Sequence, residues 1–220
     1  GRVVTTDKSF LSPTTNSDFH TDRFGKVWKR EDINSPGIMR TYVIYADNQD
    51  NVWYVWERHL YRVSFHLRKY DKLETENAST RYAMKDSKGR IWISKRYANH
   101  VTVYDRKNNL LGYLGANGKI VSHQESFGNK VYCIHEDKYG NIWFGTKPNG
   151  IFMLKEQADG TFSIRNFRKE NSALNDNEII KIEEDAKGRS WACGFMKGLN
   201  IIEINGSEIK ITPVAYNSEK

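Results

Sequence analysis

Residues 131–145 read VYCIHEDKYGNIWFG, and this stretch shows the unit from which the chain is built. An apolar run leads to an Asp, a Gly stands three positions after it, and a Trp follows three positions later inside a second apolar run. The same signature recurs, in stronger or weaker form, at residues 47–53, 86–92 and 185–191. Its tryptophans lie 39 to 51 residues apart, and repetition at such a period is typical of solenoids, propellers and repeat arrays.

Each unit contains four segments whose β-branched and aromatic residues predict strands. The first segment precedes the Asp, the second carries the Trp, and a third and a fourth follow after short loops. Four antiparallel strands in roughly 40–50 residues form the blade of a β-propeller. The sequence therefore predicts an all-β fold made of four-stranded antiparallel blades. The number of units indicates a fragment with about four to five blades of a larger propeller, because a propeller needs closure to hide its edge strands.

We expect the signature residues to be structural. Asp can start the turn between the first two strands, Gly can supply its positive φ, and a large Trp ring can fill the wedge between neighbouring blades. In the first unit Asp50 stands where the others have Gly. The residues concerned are Asp47, Trp53, Asp86, Gly89, Trp92, Asp137, Gly140, Trp143, Asp185, Gly188 and Trp191.

The predicted boundaries follow from this spacing. Four blades are expected within residues 38–216, at about 38–70, 80–122, 130–168 and 178–214. Residues 1–37 are interpreted as a loop and part of a preceding blade, with an outer strand from Phe24 to Lys29, and residues 217–220 as a tail.

The third and fourth units resemble a known repeat. The strings VYCIHEDKYGNIWFGTKPNGIFMLK at residues 131–155 and NSALNDNEIIKIEEDAKGRSW at residues 171–191 resemble the propeller repeats of bacterial two-component regulators. The resemblance covers roughly residues 38–216 and is weaker in the first two units, where a turn Gly is missing and residues 94–96 read SKR in place of the usual Gly-Thr.

This resemblance implies a cellular location for the chain and a larger protein to which it belongs. Such repeats form the periplasmic sensor regions of hybrid two-component proteins of the Bacteroides type, in which a membrane helix, a histidine kinase and a response regulator follow the propellers. It implies a homodimer in the full-length receptor and an oligosaccharide as the ligand. The kinase would lie outside this chain, so we expect no catalysis from the chain itself.

Composition excludes several classes of protein. No apolar run approaches the roughly 18 residues of a membrane-spanning helix, and no nucleic-acid-binding signature occurs. The net charge is +7, and all of the excess lies in residues 1–110. That half could attract an anionic polymer, although charges interleaved with apolar residues also suit an ordinary solvated surface. The chain begins at Gly1 without a charged and apolar leader, so we expect a part excised from a longer protein.

Motifs for catalysis and metal binding are missing from the sequence. None of the six histidines has a metal-ligand spacing, and no GxSxG, P-loop or GxGxxG occurs. Acidic pairs such as Glu136-Asp137 repeat from unit to unit, which favours a structural role over a catalytic one. Cys133 and Cys193 are expected to act as small hydrophobic residues, and whether they pair stays open. We therefore expect no catalytic residues, no metal and no cofactor.

A ligand is expected on one face of the propeller. The DxxG turns occupy one side and repeat, whereas the loops between the second and third strands differ from unit to unit, and variable loops on a rigid scaffold often carry recognition. The candidates are Arg58, Arg96, Tyr97, Lys147 and Lys197. Arg96 and Tyr97 form the preferred pair, because Arg can bind a carboxylate or sulfate while Tyr offers a stacking face.

Three functions remain open from the sequence. The first is an extracytoplasmic sensing module that responds to a glycan fragment. The second is a protein-interaction propeller without a small ligand. The third, and least favoured, is a propeller lyase or glycoside hydrolase.

Overall fold

The computed structural model describes residues 19–21, 27–29, 42–46, 51–56, 59–64, 69–73 and 80–214. These residues are strands, turns and loops without a helix, so none of them forms a helix that could cross a membrane. The chain divides into two compact units, residues 1–80 and 81–220.

The first unit contains a short hairpin and one blade. The hairpin pairs β1 (Phe19–Thr21) with β2 (Val27–Lys29), so the described part of the strand expected at Phe24 to Lys29 is its last three residues. The blade runs in chain order through β3 (Tyr42–Ala46), β4 (Asn51–Trp56), β5 (His59–Ser64) and β6 (Lys69–Leu73). Trp53 is 2% exposed. Asp47 and the rest of its turn lie outside the described residues.

The second unit contains three further sheets, each with its strands antiparallel and in chain order. Blade two comprises β7 (Thr80–Lys85), β8 (Ile91–Lys95), β9 (Val101–Tyr104), β10 (Leu110–Leu114) and β11 (Ile120–Val121). Blade three comprises β12 (Lys130–Glu136), β13 (Ile142–Lys147), β14 (Ile151–Glu156) and β15 (Phe162–Phe167). Blade four comprises β16 (Ile179–Glu184), β17 (Ser190–Gly194), β18 (Leu199–Asn205) and β19 (Glu208–Pro213).

The prediction of an all-β chain of antiparallel blades is confirmed, with one addition. Blade two has a fifth strand, β11, which the sequence did not predict. A tight turn folds it back on β10, because the Gly115 N–H donates to the Lys119 carbonyl and the Gly118 N–H to the Gly115 carbonyl. The Gly118 carbonyl in turn accepts a hydrogen bond from the Phe162 N–H of blade three. The extra hairpin therefore joins blade two to blade three.

Large aromatic rings fill the spaces between successive blades of the second unit. Trp92 is fully buried and packs edge-on against Phe144 and Phe162 of blade three. Trp143 is fully buried in a second core cluster, which includes Ile179 and other residues of blade four. Burial of rings of this size supplies much of the apolar contact between blades.

The signature itself is a hydrogen-bonded unit. Asp137 Oδ1 accepts hydrogen bonds from the N–H groups of Tyr139 and Asn141, while its Oδ2 accepts one from Trp143 Nε1 at 2.7 Å. The Asp-to-Trp bond recurs at 2.8 Å from Trp92 to Asp86 and at 2.9 Å from Trp191 to Asp185. One carboxylate thus holds both the turn backbone and the wedge-filling ring. The turn glycines have φ of +82°, +79° and +72° at Gly89, Gly140 and Gly188.

Candidate functional site

The DxxG side of the blades, here the turn face, is occupied by structural contacts. Glu136 stands just before the Asp of blade three, and its carboxylate accepts hydrogen bonds from Ser87 N and Ser87 Oγ in the turn of blade two, at 2.6 and 2.7 Å. Glu184, at the same repeat position in blade four, accepts one from Lys138 N at 3.1 Å. In each repeated acidic pair, the Asp therefore binds the backbone of its own turn, and the Glu binds the turn of the preceding blade.

The opposite side, here the loop face, carries a cleft between blades two and three. Its volume is about 310 Å³. A loop of blade two, the connection between the blades and a loop of blade three build its walls. The lining residues are Asn99, Gly128, Asn129, Lys130, Tyr132, Lys147, Pro148 and Asn149. We call it the loop-face cleft.

Backbone and amide hydrogen bonds fix the walls of the loop-face cleft. Asn149 Nδ2 donates to Asn129 Oδ1 at 2.6 Å, and Asn166 Nδ2 donates to the Asn149 carbonyl at 2.8 Å. The Phe127 N–H donates to the Asn99 carbonyl at 2.8 Å, which joins the blade-to-blade connection to the loop of blade two. A surface that is already held in place needs little reordering to receive a ligand.

Lys147 lies where the cleft meets blade four. Its Nζ is 2.6 Å from Glu178 Oε2 and 4.8 Å from the centroid of the Phe195 ring. The hydrogen bond that Lys147 donates to Glu178 raises the pKa of Lys147. The ammonium group is therefore charged and held at the rim.

Arg81 lies behind the wall that Tyr132 forms. Its guanidinium carbon is 4.0 Å from the centroid of the Tyr132 ring, and its Nη2 donates to the Arg96 carbonyl at 3.2 Å. Its Nε is buried and has no hydrogen-bond partner. Arg81 and Tyr132 both stand five residues before the Asp of their signature, at a position where blade four has Ile180.

Of the five ligand-contact candidates selected from the sequence, four lie in the described residues, and of those four only Lys147 lines the loop-face cleft. Arg96 is half-buried, Tyr97 is 82% exposed, and Lys197 is exposed on the loop of blade four. Arg58 lies outside the described residues. Arg81 and Tyr132 are not among the residues selected from the sequence, although their shared repeat position, filled by a different residue in each blade, was a usable signal.

Asp176 fixes the loop of blade four. Its Oδ1 accepts the Glu178 N–H, and its Oδ2 accepts the N–H groups of Met196 and Lys197. Burial tends to raise the pKa of Asp176, but these three donors outweigh it, so the pKa lies below its ordinary value. The loop presents two exposed apolar side chains, Phe195 at 57% and Met196 at 74% exposure.

A polar cluster joins the first strands of blades two and four. Lys181 Nζ donates to Tyr82 Oη at 2.9 Å and lies 2.6 Å from Glu183 Oε1. Burial opposes the charge on Lys181, but Tyr82 and Glu183 outweigh it and raise the pKa of Lys181. Burial also raises the pKa of Cys133 to about 12. Cys133 and Cys193 are both free thiols.

Titratable groups in the described part of the chain do not form a metal site. No group of three or more His, Cys, Asp or Glu side chains among those residues could hold a metal ion. His135 is largely buried, and burial lowers its pKa. Its Nε2 has no hydrogen-bond partner.

Comparison with known proteins identifies the repeat. Residues 126–147 match the family described as two component regulator propeller, which confirms the resemblance seen in the sequence. A search of curated proteins found no match.

Solved structures share the fold at low sequence identity. A streptogramin B lyase aligns with a TM-score of 0.55 and 19% identity, over 81% of this chain and 56% of that one. PorZ of Porphyromonas gingivalis, a surface component of the type-IX secretion system, aligns at 0.54 and 16%, over 80% and 27%. The extracellular domain of BT3049 from B. thetaiotaomicron, described as a hybrid two component system, aligns at 0.53 and 17%, over 83% and 23%. This chain therefore spans between about a quarter and just over half of each structure, and the likeness shows the fold alone.

Proposed function

We propose that this chain is an extracytoplasmic ligand-sensing propeller module of a two-component signalling protein, and that it binds a glycan fragment in the loop-face cleft. The observation that carries the proposal is the position of the cleft within the repeat. Five of its eight lining residues fall inside the matched segment 126–147: Gly128, Asn129, Lys130, Tyr132 and Lys147. The repeat whose relatives are two-component regulators thus builds most of the cleft.

The chemistry of the walls suits a saccharide. Side-chain amides of Asn99, Asn129 and Asn149 combine donors and acceptors, as neighbouring hydroxyl groups require. Tyr132 and Pro148 supply apolar surface for the C–H face of a sugar ring. The hydrogen bonds that hold the walls reduce the entropy lost on binding.

Signalling would follow from a shift between two arrangements of the receptor. A ligand changes such an equilibrium only by its differential affinity for the two states. We propose that the receptor is a homodimer in the periplasm and that the kinase lies in another part of the protein. The chain itself would perform no catalysis.

The test is thermal unfolding of the chain with a library of oligosaccharides. A ligand at 100 times its Kd stabilises the folded state by about 2.7 kcal/mol, which raises Tm by roughly 5–10 °C in a chain of this size. Tyr132→Ala should abolish the shift. Tyr139→Ala is the matched control, because Tyr139 is an exposed tyrosine of the same blade on the turn face. A library without any stabilising member, or an undiminished shift in Tyr132→Ala, would contradict the proposal.

A protein-interaction propeller is the second candidate. The exposed Phe195 and Met196, on a loop held by Asp176, favour it because large apolar side chains on a rigid loop suit protein contacts. Loss of a protein partner on replacement of both by Ser, with no saccharide binding, would support this reading. The lyase structure among the fold neighbours prompts one more control: new reducing ends or unsaturated products after incubation with the library would indicate an enzyme.

A further inference from the structure

The contact between blades two and three includes a carboxylate that two cations of one turn bind together. Lys88 and Arg90 belong to the turn of blade two, and Glu156 ends the third strand of blade three. Lys88 Nζ and Arg90 Nη2 each lie 2.8 Å from Glu156 Oε2. Burial tends to raise the pKa of Glu156, but the hydrogen bonds from Arg90 and Lys88 outweigh it and lower this pKa. The turn of one blade thus binds a carboxylate of the next.

Arg90 also joins this ion pair to the aromatic contact between the same two blades. Its Nε donates to Asp86 Oδ2 at 2.6 Å. Its guanidinium carbon lies 5.4 Å from the centroid of the Trp92 ring and 5.6 Å from that of the Phe162 ring. Blade three therefore docks on a buried indole ring and on a guanidinium that its own Asp holds in place, and hydrogen bonds between ionised groups are the stronger ones.

The turn of blade four repeats the cationic half of this arrangement. It reads DAKGRSW where the turn of blade two reads DSKGRIW, so Lys187 and Arg189 stand at the positions of the two cations just described. Arg189 Nε donates to Asp185 Oδ2 at 2.8 Å, and its guanidinium carbon lies 5.5 Å from the centroid of the Trp191 ring. The guanidinium and the ring are therefore set as they are in blade two.

The carboxylate half has no counterpart among the described residues. Within them, no carboxylate of another blade pairs with Lys187 or Arg189, and Lys187 is exposed. Trp191 is partly exposed, whereas Trp92 and Trp143 are fully buried against the blade that follows each of them. The side of blade four that carries Trp191, here the outward face, thus presents two cations beside an indole ring that no described residue covers completely.

Blade three provides the contrasting case. It has Tyr139 and Asn141 at the two cation positions, and blade four, which follows it, has Ile204 at the position of Glu156. The blade with two cations is therefore followed by a carboxylate, and the blade without them by an apolar side chain. By its sequence, the turn of blade four is of the first kind.

The blades of this chain do not supply the matching carboxylate. Counted from the strand partner of each signature Trp, the position of Glu156 holds Phe65, Arg106 and Ile204 in the other three blades. Glu156 is already bound within the chain. A second copy of the chain offers the same four residues and is therefore a poor partner for the outward face.

We infer that the outward face of blade four docks a further β-blade of the full-length receptor, one whose third strand ends in a carboxylate that Lys187 and Arg189 bind. Apolar side chains of that blade would cover Trp191, as two Phe rings of blade three cover the indole of blade two. A Glu just before its own turn would accept the N–H of Ala186, which stands where blade two has Ser87. The inference goes beyond ligand sensing and rests only on the part of the proposed function that places the chain in a longer protein.

The experiment is carbodiimide coupling of the full-length receptor followed by peptide mass spectrometry. A carbodiimide adds no spacer atoms, so it joins a lysine amine only to a carboxylate in direct contact. We expect Lys187 to be joined to an Asp or Glu at the end of the third strand of another DxxG-type unit, beyond residue 214. The joined pair of Lys88 and Glu156 is the internal positive control, and Lys107, an exposed lysine without an ion pair among the described residues, is the negative one.

A variant adds a second measurement. Lys187→Gln should lower the Tm of the full-length propeller by about 1–3 °C, because a charge pair at the contact is lost. The same change in the chain of residues 1–220 should leave Tm unchanged, since Lys187 is exposed there and has no ion pair among the described residues. Lys107→Gln is the matched control in both proteins and should change neither.

The outcomes are distinct from those of the glycan test. Coupling of Lys88 to Glu156 without any product at Lys187, or a product with a carboxylate outside a DxxG-type unit, would overturn the inference. A product between two copies, recognised in a mixture of isotope-labelled and unlabelled receptor, would overturn it too. An equal change in Tm for Lys187→Gln in both proteins would assign Lys187 a role within blade four alone. Each of these results leaves glycan sensing intact, because the oligosaccharide-induced shift is measured separately.

Discussion

Glu136 of blade three accepts two hydrogen bonds from Ser87 of blade two, at 2.6 Å from the backbone N–H and 2.7 Å from the hydroxyl group. The two residues are 49 positions apart in the sequence. The bond therefore acts between blades, at the turn whose own Asp holds a buried Trp. Glu184 makes the corresponding contact one blade later. These contacts, like the apolar packing, therefore join each blade to the one that precedes it in the chain.

Glu136→Ala should lower the free energy of unfolding by about 1–2 kcal/mol, because two hydrogen bonds to one carboxylate are lost. We expect a modest value, since burial raises the pKa of Glu136 and so already disfavours its charged form. Glu184→Ala, which loses one longer bond, should cost less. Urea unfolding of both variants checks this. A Glu136→Ala variant at least as stable as the parent would show that the contact does not stabilise the fold.

Trp143→Ala should be among the most damaging single changes, with a loss of about 3–5 kcal/mol. The ring is fully buried, and its removal also leaves the Asp137 carboxylate without the indole donor. Trp191 has the same position and the same bond to its Asp but is partly exposed, so Trp191→Ala should cost clearly less. Equal losses in urea melts would show that burial between blades is not what makes the ring important.

Gly140 and Gly118 share a φ of +79° and differ in the space around them. A Cβ on Gly140 would meet nothing within 4 Å, whereas one on Gly118 would collide with the carbonyl oxygen of Phe162. Gly140→Ala should therefore cost about 1–2 kcal/mol from backbone strain alone, and Gly140→Val more, because a β-branched residue resists positive φ. Gly118→Ala should cost more than Gly140→Ala. Similar urea midpoints for the two Ala variants would contradict this.

Asp176→Asn should destabilise the protein at pH 7 by about 1–3 kcal/mol, since an amide cannot accept all three N–H donors. Because the pKa of Asp176 is lowered in the folded state, the loss of stability in the variant depends on pH in a definite direction. Its contribution is fully present above the unfolded value near 3.8 and is lost as pH falls through the lower folded value. The difference between variant and parent should thus shrink from pH 7 to pH 3. A constant difference across that range would exclude the carboxylate charge as the cause.

The pair Arg96 and Tyr97 stays a prediction of ligand contact. Replacing both by Ala should leave Tm nearly unchanged, because Tyr97 is exposed and Arg81 bonds the Arg96 backbone carbonyl, which the variant keeps. The prediction made from the sequence is that the variant loses the oligosaccharide-induced shift, whereas a site confined to the loop-face cleft, which neither side chain lines, would keep the shift. The matched control is Arg106→Ala with Tyr139→Ala, which changes the same residue types on exposed turns of the opposite face. Full binding by the Arg96 and Tyr97 variant would exclude these two side chains from the site.

Much of the fold could be predicted because its signals are local. The Trp spacing and the DxxG turns give the blades, and the strand β11 was missed because its signal is two residues long. The candidate site was harder to predict from the sequence, because it depends on the direction of side chains and on contacts with the neighbouring blade. Arg96 and Tyr97 stand out in a loop, yet the stacked pair of Arg81 and Tyr132 comes from two strands 51 residues apart. That contact depends on how blades two and three face each other, which spacing within one blade does not reveal.

The contact from Glu136 to Ser87 also has a direction along the chain. The turn of blade two is completed by a residue made 49 positions later, and the turn of blade three by one made 46 positions later. On a ribosome that adds about 5–20 residues per second, each turn would wait roughly 2–10 s for its carboxylate. During synthesis the most recently made blade therefore lacks the carboxylate that completes its turn. The turns are completed in order from the N-terminal side, each one only after the next blade has begun.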